Sequence, residues 1–214
     1  NNSLENNETT FNHGTGVYLR GSHNNTLKNN TLSSNGTGVR LYWSYNNTIE
    51  KSTASENQFG IDCTNCDNIA LKDNTISDND LTGISIGLTD DVALKNNTVS
   101  NNNYDGISLG EINGCVLENN NVLNSEYAGI RLSRVNDCVV ENNTIRNNMF
   151  GIDISTIENN IIRNNTISNN SKYGITMWRA EKNIITNNII ESNGEAGIEV
   201  YESPGMGAAP EDAN

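Results

Sequence analysis

A glycine followed by Ile or Val recurs along the chain at Gly16, Gly38, Gly60, Gly83, Gly106, Gly129, Gly151, Gly174 and Gly197, always 22 or 23 residues apart. So narrow a period marks a repeat architecture, in which each unit buries its apolar side against its neighbours. Counting from each glycine aligns the other residues into rows. The +1 row runs Val17, Val39, Ile61, Ile84, Ile107, Ile130, Ile152, Ile175 and Ile198. The +3 row, from Leu19 to Val200, is apolar throughout and holds Cys63 and Met177 among aliphatics. Rows at +11 (Leu27 to Ile185) and +16 (Leu32 to Ile190) are apolar too, and all length variation falls after +16.

Apolar residues at +1 and +3 alternate as one face of a strand does, whereas a helix needs a 3.6-residue period. Enrichment in Ile, Val and Thr with abundant Asn also disfavours helix. Each repeat therefore reads as three short strands, near offsets 0–4, 9–12 and 15–17, joined by turns. Stacking such coils about 4.8 Å apart gives an all-β parallel solenoid of about nine coils, roughly 40 Å long, with identical rows forming internal ladders.

Paired asparagines fit the same picture. The stretch ENNTIRNNMFGIDI at 141–154 has near-copies at 95–109 and 163–177. The second Asn of each pair falls at +14, in the row Asn30, Asn74, Asn97, Asn120, Asn143, Asn165 and Asn188, with Ser52 as the break and Asn7 in the partial first coil. Asn tolerates left-handed backbone and bonds locally in tight turns, and stacked amides pair along an axis. The first Asn of a pair, at +13, is expected to face outward. Ten Asn-x-Ser/Thr tripeptides accompany this pattern. Asn96, Asn142 and Asn164 are thus candidate N-glycosylation sites, although folding alone explains the motif's period.

With these rows and the Asn ladder, residues 1–201 resemble the right-handed parallel β-helix superfamily that includes pectate lyases, and its NosD-like repeat branch. The resemblance implies a right-handed coil, with function on outward rows over the first strand and its flanking turns. It also implies a choice between a scaffold and a polysaccharide lyase, hydrolase or epimerase.

Charge and ends narrow the partners. The formal net charge is −13, with a pI near 4.4, which argues against nucleic acid. No apolar run is long enough to insert in a bilayer. Both prolines, Pro204 and Pro210, follow the last strand, so 202–214 reads as a tail or linker. Neither end shows a capping helix, and a neighbouring domain or second subunit is expected to cover at least one of them. Cys63 replaces an aliphatic and reads as core. Cys115 and Cys138 share the +9 row of successive coils; distance permits a disulfide, but strain in stacked strands favours buried thiols. A lone Cys63-x-x-Cys66 does not make a zinc site.

The outward +2 row supplies the alternative catalytic candidates Arg40, Asp62, Arg131 and Asp153, with each arginine one coil from an acid. Stacked salt bridges explain them as well, because a glycosidase needs carboxylates converging on one bond. The Gly-His-Gly and Arg-x-Lys of polygalacturonases and the Asp-Pro-His-Asp of mannuronan epimerases are absent. The long loops that build clefts in enzymes of this superfamily are missing as well. Asp67, Asp90, Asp91, Asp137, Glu158 and Glu181 form an acidic row that could give Ca2+ some of its oxygens, but the β-roll nonapeptide is absent and no cofactor is expected. Copper association is implied by the branch, yet two His and three Met offer no copper cluster.

Aromatics give the clearest binding signal. Tyr42, Trp43 and Tyr45 follow the first strand of the second full coil, and Trp178 and Tyr201 stand at +4 of the last two. These five are the candidates for stacking on sugar rings. Phe59, Tyr104, Tyr127, Phe150 and Tyr173, just before the repeating glycine, are expected to stack on one another and cover the solenoid edge. The sequence therefore points to a non-catalytic scaffold at the cell surface, outside the cell or in the periplasm, with a polysaccharide or surface glycan as the candidate partner.

Overall fold

The computed structural model describes residues 1–201, in which strands form the only regular elements. The tail assigned to 202–214 lies outside the described residues. In the coil of Gly60 the strands are Phe59–Thr64, Asp67–Lys72 and Thr75–Ser77, as the spacing predicts. Pairing is parallel and in register: Ile61 lies opposite Val39 and Ile84, and Ile76 opposite Ala54 and Val99. Third strands make a nine-stranded sheet, while first and second strands join in a sixteen-stranded one. They join because Ile107–Glu118 and Ala128–Glu141 run unbroken through the first corner of their coils.

The four apolar rows meet inside as the core; Leu27, Ile49, Ile84, Val99, Ile107 and Ile145 are all fully buried. Each buried aliphatic rung contributes about 1.5–3 kcal/mol. The repeating glycine is required by close approach rather than by backbone angle. A Cβ on Gly83 would lie 2.8 Å from the Gly106 carbonyl oxygen and 2.7 Å from Asn102 Nδ2. A side chain at this row from Gly16 to Gly174 would force successive coils apart.

Each coil turns at left-handed residues at +5, +8, +13 and +18, each followed by an inward-facing residue. Among the described residues, half of the 32 non-glycine residues with positive φ are Asn, the residue that tolerates that region best after glycine. The Asn-Asn pair thus divides its work. Asn142 takes φ 57° and is exposed, whereas Asn143 is buried. The Asn143 backbone N–H and Nδ2 both donate to Asn165 Oδ1, at 2.9 and 3.0 Å, and Nδ2 also donates to the Leu117 carbonyl at 2.9 Å. One side chain therefore ties its coil to both neighbours with every polar atom paired, as burial demands.

Two further ladders do the same work without having been expected. At +19, Asn35 N–H donates to Asn57 Oδ1 at 2.9 Å, and Asn57, Asn79, Asn148 and Asn170 continue the row. At +9, Asn25 donates to Asn47 and Asn160 to Asn183. The +19 signal was present in the sequence, broken only by Ser125, and it confines the length variation to the three positions before the next glycine.

The expectation of buried thiols at Cys115 and Cys138 is overturned, because they form a disulfide. Register explains it: same-row residues in parallel strands sit one strand spacing apart, here 4.4 Å between Cα atoms, within the span a disulfide bridges. Cys63 and Cys66 are free and buried, and burial pushes both thiols above their ordinary range.

Candidate functional site

Because +1 and +3 point inward, +2 and +4 project outward from the first strands and build one continuous face. Two arginine centres stand on it. Arg40 Nε donates to Asp62 Oδ2 at 2.9 Å, one coil on. With Tyr18, Tyr42 and Thr64 this pair lines a depression of about 270 Å³. Tyr42 stacks on Trp43 with ring centroids 5.3 Å apart, and Trp43 is 54 % exposed. An aromatic wall beside a hydrogen-bonding ion pair is a chemistry that suits hydroxyl-bearing rings.

The second centre is Arg131. Its guanidinium lies 3.8 Å from Asp153 Oδ2 and 3.9 Å from Asp105 Oδ2, donates to the Tyr104 hydroxyl at 3.4 Å, and sits over the Tyr127 ring. Asp153 Oδ1 also accepts from the Thr176 hydroxyl at 2.7 Å. Asp105 is 1 % exposed and accepts a hydrogen bond from the Ala128 N–H. Burial pushes its carboxyl up to about 6, against the opposing pull of Arg131. Desolvation works against the Arg131 charge, but Asp105, Tyr104 and Asp153 outweigh it and raise the guanidinium further.

Asp105 lies outside both groups of acids that the sequence singled out, the +2 row and the row from Asp67 to Glu181. Its signal was a charge immediately before the repeating glycine, where other coils carry Thr, Ala or an aromatic. Two carboxylates therefore converge on one guanidinium, where single acids several coils apart had been expected.

The five glycan candidates divide. Tyr42, Trp178 and Tyr201 share the +4 row, but Tyr42 stands near one end and the other two, paired with each other, at the opposite end. Tyr45 stacks on His23 at 4.8 Å and accompanies Trp43 on the turn. Trp178 carries Arg179 over its ring. Tyr104, Tyr127, Phe150 and Tyr173 line up along the axis with centroids 5.1–5.9 Å apart, the Tyr127–Phe150 pair tilted, whereas Phe59 lies opposite Thr37 and stands outside this run. Asn96, Asn142 and Asn164 are exposed, each with a left-handed backbone. The acidic row bridges coils: Asp67 Oδ1 accepts the Asp90 N–H and Asp90 Oδ1 accepts the Asn113 N–H.

This fold and face define a right-handed parallel β-helix repeat protein. Residues 1–156 and 113–206 match the family described as periplasmic copper-binding protein (NosD), and the chain belongs to that family. No curated protein matches it in sequence. Among solved structures it is similar to the periplasmic alginate epimerase AlgG, with TM-score 0.69, 16 % identity, and coverage of 83 % of this chain and 49 % of that one. It is similar to the Dettilon tailspike protein at TM-score 0.76 and 19 % identity, over 92 % of this chain and 47 % of that one. The Streptococcus pneumoniae surface protein and adhesin PfbA matches at TM-score 0.70 and 14 % identity, over 93 % of this chain and 67 % of that one. The chain spans about half the length of the epimerase and the tailspike. At these identities the likeness is one of fold.

The family description names copper, which would need a matching set of donors. Copper takes imidazole, thiolate or thioether ligands in a converging set. Here His23 Nδ1 accepts the Tyr45 N–H, Met177 belongs to the core, and Cys63 and Cys66 are buried. Among the described residues no three His, Cys, Asp or Glu side chains gather as a metal site. The described residues do not fit a copper centre.

Proposed function

We propose that the chain is a non-catalytic β-solenoid module of the periplasm or cell surface, which binds polysaccharide along the outer face of its first sheet. The depression at Tyr18, Arg40, Tyr42 and Asp62 carries this reading, since an exposed aromatic wall and a polar pair meet there. A ring stacks on the aromatic face while its hydroxyls bond to Asp62 and Arg40. Rigid coils locked by three buried amide ladders suit a scaffold, and the disulfide suits an oxidising compartment. Asn96, Asn142 and Asn164 are presented for glycosylation in a host that performs it.

One observation favours the alternative of a polysaccharide-active enzyme: the buried Asp105 with its raised pKa beside Arg131 and Asp153. Against it, both carboxylates are engaged by the same guanidinium, which leaves none free for proton transfer. The test combines a glycan array with assays for reducing ends and unsaturated products. Saturable binding without turnover, lost in Tyr42→Ala and Trp43→Ala, supports the module. Turnover abolished by Asp153→Ala would overturn it.

A further inference from the structure

We infer that this face selects neutral, hydroxyl-rich polysaccharides and discriminates against polyuronates and other polyanions. The inference rests on the binding role proposed above and names the chemistry of the polymer. Over all the described coils, the cations in the +2 and +4 rows are Arg40 and Arg131, with Arg20 exposed at the first coil beside Tyr42. Arg40 is already held by Asp62 at 2.9 Å, and Arg131 lies between Asp105 and Asp153 at 3.9 and 3.8 Å. Three positive charges thus face four carboxylates, Asp62, Asp105, Asp153 and, in the last coil, Glu199. A polymer carboxylate docking on Arg40 or Arg131 would first have to displace a charge-assisted partner that the fold supplies. It would also approach a chain of net charge −13.

A sugar hydroxyl has no such conflict. It can donate to the outer oxygens of Asp62 or Asp153 and accept from Thr64, Ser85 or Ser108, all of which stand outward and partly exposed. The floor between the two centres is also bare without structural need. A Cβ on Gly87 would meet nothing closer than the Gly110 carbonyl at 3.5 Å, and one on Gly110 nothing closer than the Ser133 carbonyl at 3.9 Å. Packing forbids a side chain at Gly83 and permits one at Gly87, so glycine here leaves room over the sheet rather than space within it.

The test is a titration of the whole chain against soluble β-glucan and galactomannan as neutral probes, and polygalacturonate and alginate of matched length as polyanions. Each is measured at about one-tenth and at three times physiological salt. Alginate is a sharp probe because the polymer in one structural neighbour's name is a polyuronate. The expected result is a neutral polymer bound at least about tenfold tighter at low salt, a gap that narrows as salt screens the repulsion. Asp62→Asn should free Arg40 and shift the polyuronate-to-neutral ratio about fivefold toward polyuronate. A polyuronate that binds as tightly as any neutral polymer at low salt, and weakens with added salt, overturns the selectivity while leaving glycan binding in place. Binding to none of the four overturns the binding role itself, and the selectivity with it.

Discussion

Arg40 and Arg131 occupy the same row of the same sheet, yet their surroundings differ. Arg40 makes one short bond to a partly exposed carboxylate beside an open depression. Arg131 makes two longer contacts, one to a carboxylate that water scarcely reaches, under an aromatic stack and in the coil that the disulfide ties to its predecessor. A solenoid repeats its interior but is free to vary each outward position. One region of this face is accordingly open and wettable, and the other is held together. The fold has spent its cross-links on the central coils and left the Arg40 end accessible.

The disulfide should show the largest difference between the regions. Cys115→Ala with Cys138→Ala opens a link across 23 residues and should lower stability by about 3 kcal/mol in denaturant unfolding, with binding at the Arg40 end unchanged. Asp105 should produce a pH effect of comparable size. Its folded pKa of about 6 lies above the ordinary 3.8, so its contribution is fully present below about pH 4. Stability then falls as pH rises, because the unfolded chain ionises first, and the loss is complete above about pH 6, at roughly 3 kcal/mol. Unfolding of Asp105→Asn at pH 4 and pH 7 should lack this component relative to the parent, and equal slopes would contradict the buried-acid account.

Arg131→Ala leaves Asp105 buried without its counter-charge. It should cost about 2 kcal/mol at neutral pH, discounted for the partial exposure of Arg131, and adding Asp105→Asn should recover most of that. Ser125→Asn should stabilise by about 1 kcal/mol, because Asn102 Nδ2 and the Ser125 hydroxyl, both buried, find no partner where the +19 ladder is broken. Arg40→Ala should change stability by less than about 1 kcal/mol, as exposed pairs do. Its effect belongs to binding, and a stability loss as large as that of Arg131→Ala would erase the contrast between the two regions.

The architecture was legible because solenoid contacts repeat the sequence period. Gly83, Ile84 and Asn97 each predict their neighbours one coil away, and strand register, core rows and the +14 ladder all follow from that period. What escaped the sequence depends on contacts that cross rows or break the pattern. Asp105 became a partner of Arg131 only once its burial and the path of the next coil were known. Distance already permitted the Cys115–Cys138 disulfide; the expectation of strain in stacked strands pointed to thiols instead, and the structure joins the two. Tyr42 and Trp178 share a row in the sequence, but six coil spacings, roughly 29 Å, keep them from meeting on one sugar ring.

Trp43 and Trp178 are the only tryptophans in the chain, and they stand at opposite ends of the face. Trp178→Phe therefore leaves Trp43 as the sole tryptophan, excited selectively over the tyrosines, beside the Arg40 depression. Titrating this variant with a neutral oligosaccharide should give a saturable change in emission, at the affinity measured by bulk binding, and Asp62→Ala should abolish it. Bulk binding with no change at Trp43 would contradict the assignment of this face as the glycan site.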